Sequence, residues 1–145
     1  MFQSRAELTI DGKGRLSMPA RHREILFAQC QGRITFVRHY HGCLVIYPRP
    51  VWEEKRAVLF DFTGHDKMDL VRFITGHAWD TEVDGAGRAL IPPSLREWAG
   101  LSREADLLGV GRYMELWDRS RYATREREGA RFIEGAPANV NDFNY

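Results

Sequence analysis

The chain has 145 residues, room for one ordinary domain or two very small ones. Apolar content of 43% with 28% charged residues suits a soluble globular protein, and no apolar run approaches the roughly 20 residues that span a bilayer. The net charge of +1 argues against indiscriminate attraction to polyanions.

The start, MFQSRAELTI, lacks the basic-then-apolar layout of a signal peptide. Ala6 to Ile10 alternates like a strand, and Asp11-Gly12-Lys13-Gly14 breaks it with a turn. Arg15 to Met18 reads as a second short strand. Pro19 suits a helix start, and Ala20 to Phe27 is the helix. Cys30 and Cys43 are too few for a disulfide framework, so a reducing cytosol is expected. Ile34 to Arg38 and Leu44 to Tyr47 form a hairpin around Tyr40-His41-Gly42. A helix follows from Val51 to Phe60. Asp66 is placed to cap another that runs to Ile74 and turns Met68, Val71, Phe73 and Ile74 toward a core. Ala78 to Val83, the turn Asp84 to Gly87 and Arg88 to Ile91 repeat the opening layout. Pro92-Pro93 starts a short helix that Gly100 ends. Ala105 to Val110 and Tyr113 to Trp117 make a second hairpin. An Arg- and Glu-rich helix from Ser120 to Ile133 closes the ordered part. Residues 135–145 read as loosely ordered, with Phe143 and Tyr145 available to dock on a neighbour.

Two of these stretches are one string used twice. DGKGRLSMPARHRE (11–24) returns as DGAGRALIPPSLRE (84–97) at an offset of 73 residues. Asp11/Asp84, Gly12/Gly85, Gly14/Gly87, Arg15/Arg88, Pro19/Pro92, Arg23/Arg96 and Glu24/Glu97 are identical. The correspondence resumes downstream, where Leu44-Val45-Ile46-Tyr47 matches Met114-Glu115-Leu116-Trp117 and Trp52 matches Tyr122. A repeat of this kind sets the architecture. A unit of about 70 residues has a thin core alone, so the two copies should share one. The mix of strands and helices is α+β.

The copies differ in charge. Residues 1–25 carry Arg5, Lys13, Arg15, Arg21 and Arg23 against Glu7, Asp11 and Glu24, a balance of +2. Residues 79–98 carry Arg88 and Arg96 against Asp80, Glu82, Asp84 and Glu97, a balance of −2. A polyanion should meet the first copy more strongly. Of 21 basic residues 18 are arginine, whose planar fork suits phosphate and guanine.

The turn Asp-Gly-x-Gly-Arg presents a guanidinium just past a flexible bend, and Asp11 can orient Arg15 by a charge-assisted bond. Such an arginine suits a DNA groove. One arginine–guanine contact is worth only about 1–3 kcal/mol, so several copies must act together. The competing reading is plain hairpin punctuation, but a bare turn need not repeat its arginine. The candidate DNA-binding residues are Arg15, Lys13, Asp11, Arg88, Asp84, Arg21 and Arg5, with Lys13, Arg21 and Arg5 on the phosphate backbone. Arg23 and Arg96, each followed by glutamate, read as structural ion pairs. Trp52, Trp79, Trp98, Trp117 and Tyr122 read as core or interface packing, and the last helix as a solvated face. His39, His41 and Cys43 surround a turn and lack a fourth ligand, so no metal is expected. No nucleotide loop, nucleophile elbow or zinc-protease motif occurs. The chain therefore reads as no enzyme, with no cofactor, no membrane partner and no small-molecule substrate.

The duplicated residues carry a family resemblance. Met-Phe, then Leu-x-Ile-Asp-Gly-Lys-Gly-Arg-x-x-x-Pro-x-x-x-Arg, then Gly-x-Gly-Arg-x-x-x-Pro-x-x-Leu-Arg and Ala-Gly-Leu resemble the MraZ family. Cys-Leu-x-x-Tyr-Pro-x-Pro-x-Trp and Glu-Leu-Trp-Asp lie between and after the motifs, and the likeness runs from Met1 to about Tyr122. Gln3-Ser4 stands where the family commonly has Arg-Gly. The resemblance implies tandem AbrB/SpoVT-like swapped-hairpin modules forming a pseudo-symmetric β-barrel with flanking helices. Their bounds would be 5–51 and 77–120, with a helical connector at 52–76 and a helix and tail at 121–145. It further implies a transcriptional regulator of the division and cell-wall gene cluster. Ring-shaped homo-oligomers would bind direct repeats in double-stranded DNA, in the cytoplasm and at the nucleoid. The family's Asp-x-x-x-Arg signature falls on Asp11 and Arg15 and on Asp84 and Arg88. Two rival readings are an antitoxin-like protein-binding module and a small enzyme with a His or Cys nucleophile. No acid, base and nucleophile can be assembled for the second.

Overall fold

The computed structural model describes residues 1–135. The first repeat supplies β1 (Arg5–Thr9), β2 (Arg15–Ser17), α1 (Ala20–Cys30), β3 (Arg33–His39) and β4 (Cys43–Pro48). Helices α2 (Arg49–Phe60) and α3 (Lys67–Ile74) and a 3-10 turn, Thr75–His77, lead to the second. That repeat contains β5 (Trp79–Glu82), β6 (Arg88–Leu90), α4 (Pro93–Trp98), β7 (Glu104–Gly109), β8 (Met114–Asp118) and α5 (Arg119–Glu134). Phe143 and Tyr145, expected to dock on a neighbour, lie outside the described residues.

The repeats are threaded through each other. Six strands form one antiparallel sheet in the order β1-β7-β8-β4-β3-β5, and β2 and β6 form a separate two-stranded ribbon. The first strand of each repeat thus pairs with the third strand of the other. Two registers reveal a pseudo-two-fold axis. Leu16 lies opposite Ala89 at the centre of the ribbon, and Val45 lies opposite Glu115 where β4 meets β8. Both are pairs of matching repeat positions.

The sheet does not close into a barrel, contrary to the expectation. Each edge strand is paired on one side only. The turns at Asp11 and Asp84 carry the chain off both edges into the ribbon, so the edges never meet.

One continuous core joins the halves. Leu16, Met18, Leu26, Ile34, Phe36, Leu44 and Ile46 of the first repeat pack with Ile91, Leu95, Leu107, Met114 and Leu116 of the second, all nearly inaccessible. Helix α1 contributes His22, Leu26 and Cys30, one residue every four along a single face. It outruns the expected end at Phe27 because Gln31 takes the left-handed conformation that stops it, φ 56°. A smaller cluster of Val37, Val45 and Trp52 lies on the other face of the sheet, beside Tyr47, Ile74 and Tyr113.

Helix α3 meets the expectation in part: Ile74 packs against the smaller cluster, and Val71 and Phe73 are half-buried. None of its residues is fully buried, Met68 is half-exposed, and Asp66 makes no capping bond. Trp52 and Trp117 are core residues as expected, whereas Trp79 and Trp98 are substantially exposed. Ser4 sits at φ 78°, a left-handed conformation that glycine would adopt without strain.

Candidate nucleic-acid interface

The ribbon β2–β6 carries both signature arginines. Leu16 and Ala89 point inward, so Arg15, Ser17, Arg88 and Leu90 share the outward face. Arg15 pairs with Leu90 and Ser17 with Arg88, which puts the two arginines diagonally across the axis. Diagonal neighbours in an antiparallel pair lie about 7–8 Å apart. Two guanidiniums thus leave one face of the molecule from adjacent strands.

Each turn is built by its aspartate. Asp11 Oδ1 accepts from the backbone N–H groups of Lys13 (3.0 Å) and Arg15 (2.9 Å). Asp84 Oδ1 accepts from Ala86 and Arg88 in the same way, at 2.9 Å each. Gly14 N–H then closes the turn on the Asp11 carbonyl at 3.0 Å, with φ +83°; Gly87 matches it at φ +82°. At Gly12 and Gly85 a Cβ would meet nothing within 4 Å, so the tips stand in open space. The Arg15 and Lys13 N–H groups hold the Asp11 carboxyl below its ordinary range, Arg15's backbone bond contributing most. The Arg88 and Ala86 N–H groups do the same for Asp84, and the positive charges of Arg88 and Arg15 add to it.

The two turns differ in one bond. Asp11 Oδ2 accepts from Arg15 Nε at 2.8 Å, so the first guanidinium is fixed by its own turn. Arg88 Nε is buried without a hydrogen-bond partner. Lys13 is exposed at the tip of the first turn, where Ala86 stands in the second.

Arg21 is exposed in the first turn of α1 and has no ion-pair partner among the described residues. Arg5 is set apart. It lies six residues before Asp11, about 20 Å back along an extended chain. There it donates to the fully buried Asp106 at 3.0 Å and lies over the Tyr122 ring.

Arg23 and Arg96 do not pair with the glutamates that follow them. Arg23 Nη2 donates to the Met18 carbonyl at 3.2 Å, and Arg96 Nε donates to the Ile91 carbonyl at 3.0 Å. These are matching bonds in the two repeats, and each side chain ends against a glycine of the opposite turn.

A second duplicated arginine escaped the sequence reading. Arg49 Nη2 donates to the carbonyls of Ile34 (2.8 Å) and Thr81 (3.1 Å), one on each of the paired strands β3 and β5. Arg119 Nη2 donates likewise to Ala105 (3.3 Å) and Leu8 (3.4 Å), on β7 and β1. Each clamps the seam where one repeat enters the other. Thr35 and Asp80 complete the first clamp, Thr35 Oγ1 donating to Asp80 at 2.6 Å and accepting from Arg49 Nε at 3.0 Å. The signal lay in the offset of 70 that already aligned Tyr47 with Trp117 and equally aligns Arg49 with Arg119.

Burial pushes the Cys43 thiol far up, away from the thiolate that nucleophilic attack needs. No three His, Cys, Asp or Glu side chains among the described residues gather as metal ligands. No described helix is long and apolar enough to cross a membrane.

A family model described as "MraZ protein, putative antitoxin-like" matches residues 1–72 and 74–141. The chain belongs to the MraZ family. Both Asp-x-x-x-Arg turns, Asp11 to Arg15 and Asp84 to Arg88, lie within the matched residues. Similar proteins include the transcriptional regulator MraZ of Bordetella pertussis, 46% identical over 145 residues and covering all of both chains. The transcriptional regulators MraZ of Janthinobacterium sp. and Paraburkholderia phytofirmans are each 43% identical, again over the full length of both chains.

Proposed function

We propose that this chain is a sequence-specific DNA-binding transcription regulator that uses the ribbon β2–β6 as its reading surface. The observation that carries the reading is the pair Arg15 and Arg88 on one outward face, with Arg15 held by Asp11 at 2.8 Å. A guanidinium fixed in advance loses less freedom on contact, and its fork matches guanine or phosphate. Arg15 leads and Arg88 follows. Lys13, Arg21 and Arg5 supply phosphate contacts, with Arg5 the most remote. The full-length relatives named transcriptional regulators support this role.

Multiplicity supplies what one ribbon lacks. Val58, Phe60, Phe62 and Met68 on and between α2 and α3 are each about half exposed, and Phe132 and Ile133 stand out on α5. An apolar cavity of about 700 Å³ opens between β3–β4 and these two helices. Exposed apolar surface on this scale favours self-association. Copies joined in a ring would set successive ribbons against successive direct repeats, in the promoter of the division and cell-wall gene cluster at the nucleoid. The two tandem modules then act as one reading head per chain.

A gel-shift titration with a promoter duplex holding the direct repeats tests the reading. Arg15→Ala should lose about 1–3 kcal/mol per engaged chain, roughly a 5- to 150-fold change each. Arg88→Ala should lose less, because its turn lies in the more acidic repeat. Unchanged affinity in both variants overturns the proposal. The family description also carries the word antitoxin. Were the ribbon a protein-binding face instead, these variants would release a bound protein and leave DNA affinity alone.

A further inference from the structure

We propose that Arg23 and Arg96 are positioning residues acting across the repeats: Arg96 sets the turn that carries Arg15, and Arg23 sets the turn that carries Arg88. The inference rests on the reading of the ribbon given above, which it extends to two side chains of α1 and α4.

The geometry is the same twice. A Cβ built on Gly14 would fall 2.5 Å from Arg96 Cζ, 2.6 Å from Nε and 2.8 Å from Nη2. A Cβ built on Gly87 would meet the same three atoms of Arg23 at 2.5, 2.6 and 2.8 Å. A flat guanidinium therefore lies where a side chain would begin, and only glycine leaves room for it. Backbone bonds tie the same residues from the same direction. The Gly14 carbonyl accepts from Ile91 N–H at 2.9 Å, and the Gly87 carbonyl accepts from Met18 N–H at 2.8 Å. Ile91 and Met18 are also the carbonyls that anchor Arg96 and Arg23.

Gly14 and Gly87 each immediately precede a ribbon arginine. The residue that decides where Arg15 points is thus held by the second repeat, and the one that decides where Arg88 points is held by the first. An ion pair with the adjacent glutamate would have kept each arginine within its own repeat. Each brace holds one turn from the opposite repeat, and the pseudo-two-fold axis relates the two braces.

Double-mutant cycles on DNA affinity at fixed salt separate this from a structural role. Arg96→Met should weaken binding on the order of ten-fold, and most of that loss should vanish in an Arg15→Ala background. Arg23→Met should couple to Arg88→Ala and add independently to Arg15→Ala. Arg96→Lys, which keeps the charge without the plane, should resemble Arg96→Met. Coupling of Arg96 to Arg88 within its own repeat, or full rescue by lysine, overturns the inference. If Arg15→Ala and Arg88→Ala have no effect on DNA, it is the ribbon reading that fails. The brace is then decided by amide hydrogen exchange on the free protein. Arg96→Met should speed exchange at Lys13, Gly14 and Arg15 and leave Ala86, Gly87 and Arg88 protected, and Arg23→Met should do the reverse. Faster exchange in a variant's own repeat, equal loss at both turns, or no change at either contradicts it.

Discussion

A single oxygen separates the two turns. Both aspartates organise their turn through Oδ1, but only Asp11 also holds its arginine, through Oδ2. Asp11→Asn keeps the acceptor for the backbone and puts a donor where Arg15 Nε needs an acceptor. DNA affinity should fall, by less than Arg15→Ala costs, with the melting temperature nearly unchanged. Asp84→Asn should leave affinity close to wild type, because Asp84 holds no guanidinium. Binding curves and thermal melts of the two variants side by side check the contrast. His22 carries a different consequence. It occupies the buried stripe of α1 at 1% exposure, edge-on to Phe2, with neither ring nitrogen hydrogen-bonded. Burial, helped by the charge of Arg21, holds it below the ordinary histidine value near 6.5. The unfolded chain therefore binds this proton more readily, and stability falls as pH drops through 6.5 toward the lower folded value. Half-buried His39 pulls in the same direction. His22→Leu should gain stability on wild type progressively between pH 7 and pH 5 in urea titrations. A gap independent of pH contradicts the assignment.

At the level of elements, the turns and hairpins were legible because glycine, proline and aspartate punctuate them by local chemistry. Asp11 to Gly14 and Asp84 to Gly87 are turns for the reasons read from the string alone. What strand pairs with what was not legible there. The alternation in Ala6 to Ile10 reports a face, not a partner, and nothing local in Leu8 specifies Ala105. The swap is written instead in side chains that look unremarkable alone. Arg49 and Arg119 follow a proline and an aspartate at two helix starts, and only the fold puts two strands of different repeats beneath each. Helix α3 misled for a related reason. Its C-terminal apolar residues Phe73 and Ile74 pack against Trp98 and the smaller cluster, whereas nothing covers its first turn and Met68 stays exposed. His22 was hidden because a histidine at a core position breaks the apolar pattern that marks the buried face. The clamp is testable in its most buried member. Thr35 is fully inaccessible, donates to Asp80 and accepts from Arg49. Thr35→Val removes both bonds at constant shape and leaves charged partners short. It should cost about 1–3 kcal/mol in chemical denaturation, with DNA affinity per folded molecule unchanged. A neutral substitution would show that Arg49 holds the seam without it.

The whole molecule is a nearly symmetric body with asymmetric charge. The core and both clamps repeat, whereas the first turn carries Lys13 and a fixed Arg15 and the second carries Ala86 and an unpinned Arg88. One chain is thus polarised toward a polyanion, although its net charge is only +1. The exposed apolar residues of α2, α3 and α5 lie on elements other than the ribbon, so association through them leaves the reading surfaces free. On the proposed function, affinity would come from repetition: each ribbon would contribute a modest contact, and linked copies would raise the effective concentration of the next. The central claim is that fixed turn arginines grip DNA only as members of such an assembly. Native mass spectrometry of the protein with a direct-repeat promoter duplex tests it most directly, on wild type and Arg15→Ala together. The account predicts a wild-type oligomer that takes up the duplex and an Arg15→Ala oligomer of the same size that does not. A wild-type monomer holding the duplex tightly, or an Arg15→Ala oligomer that still captures it, would contradict the account.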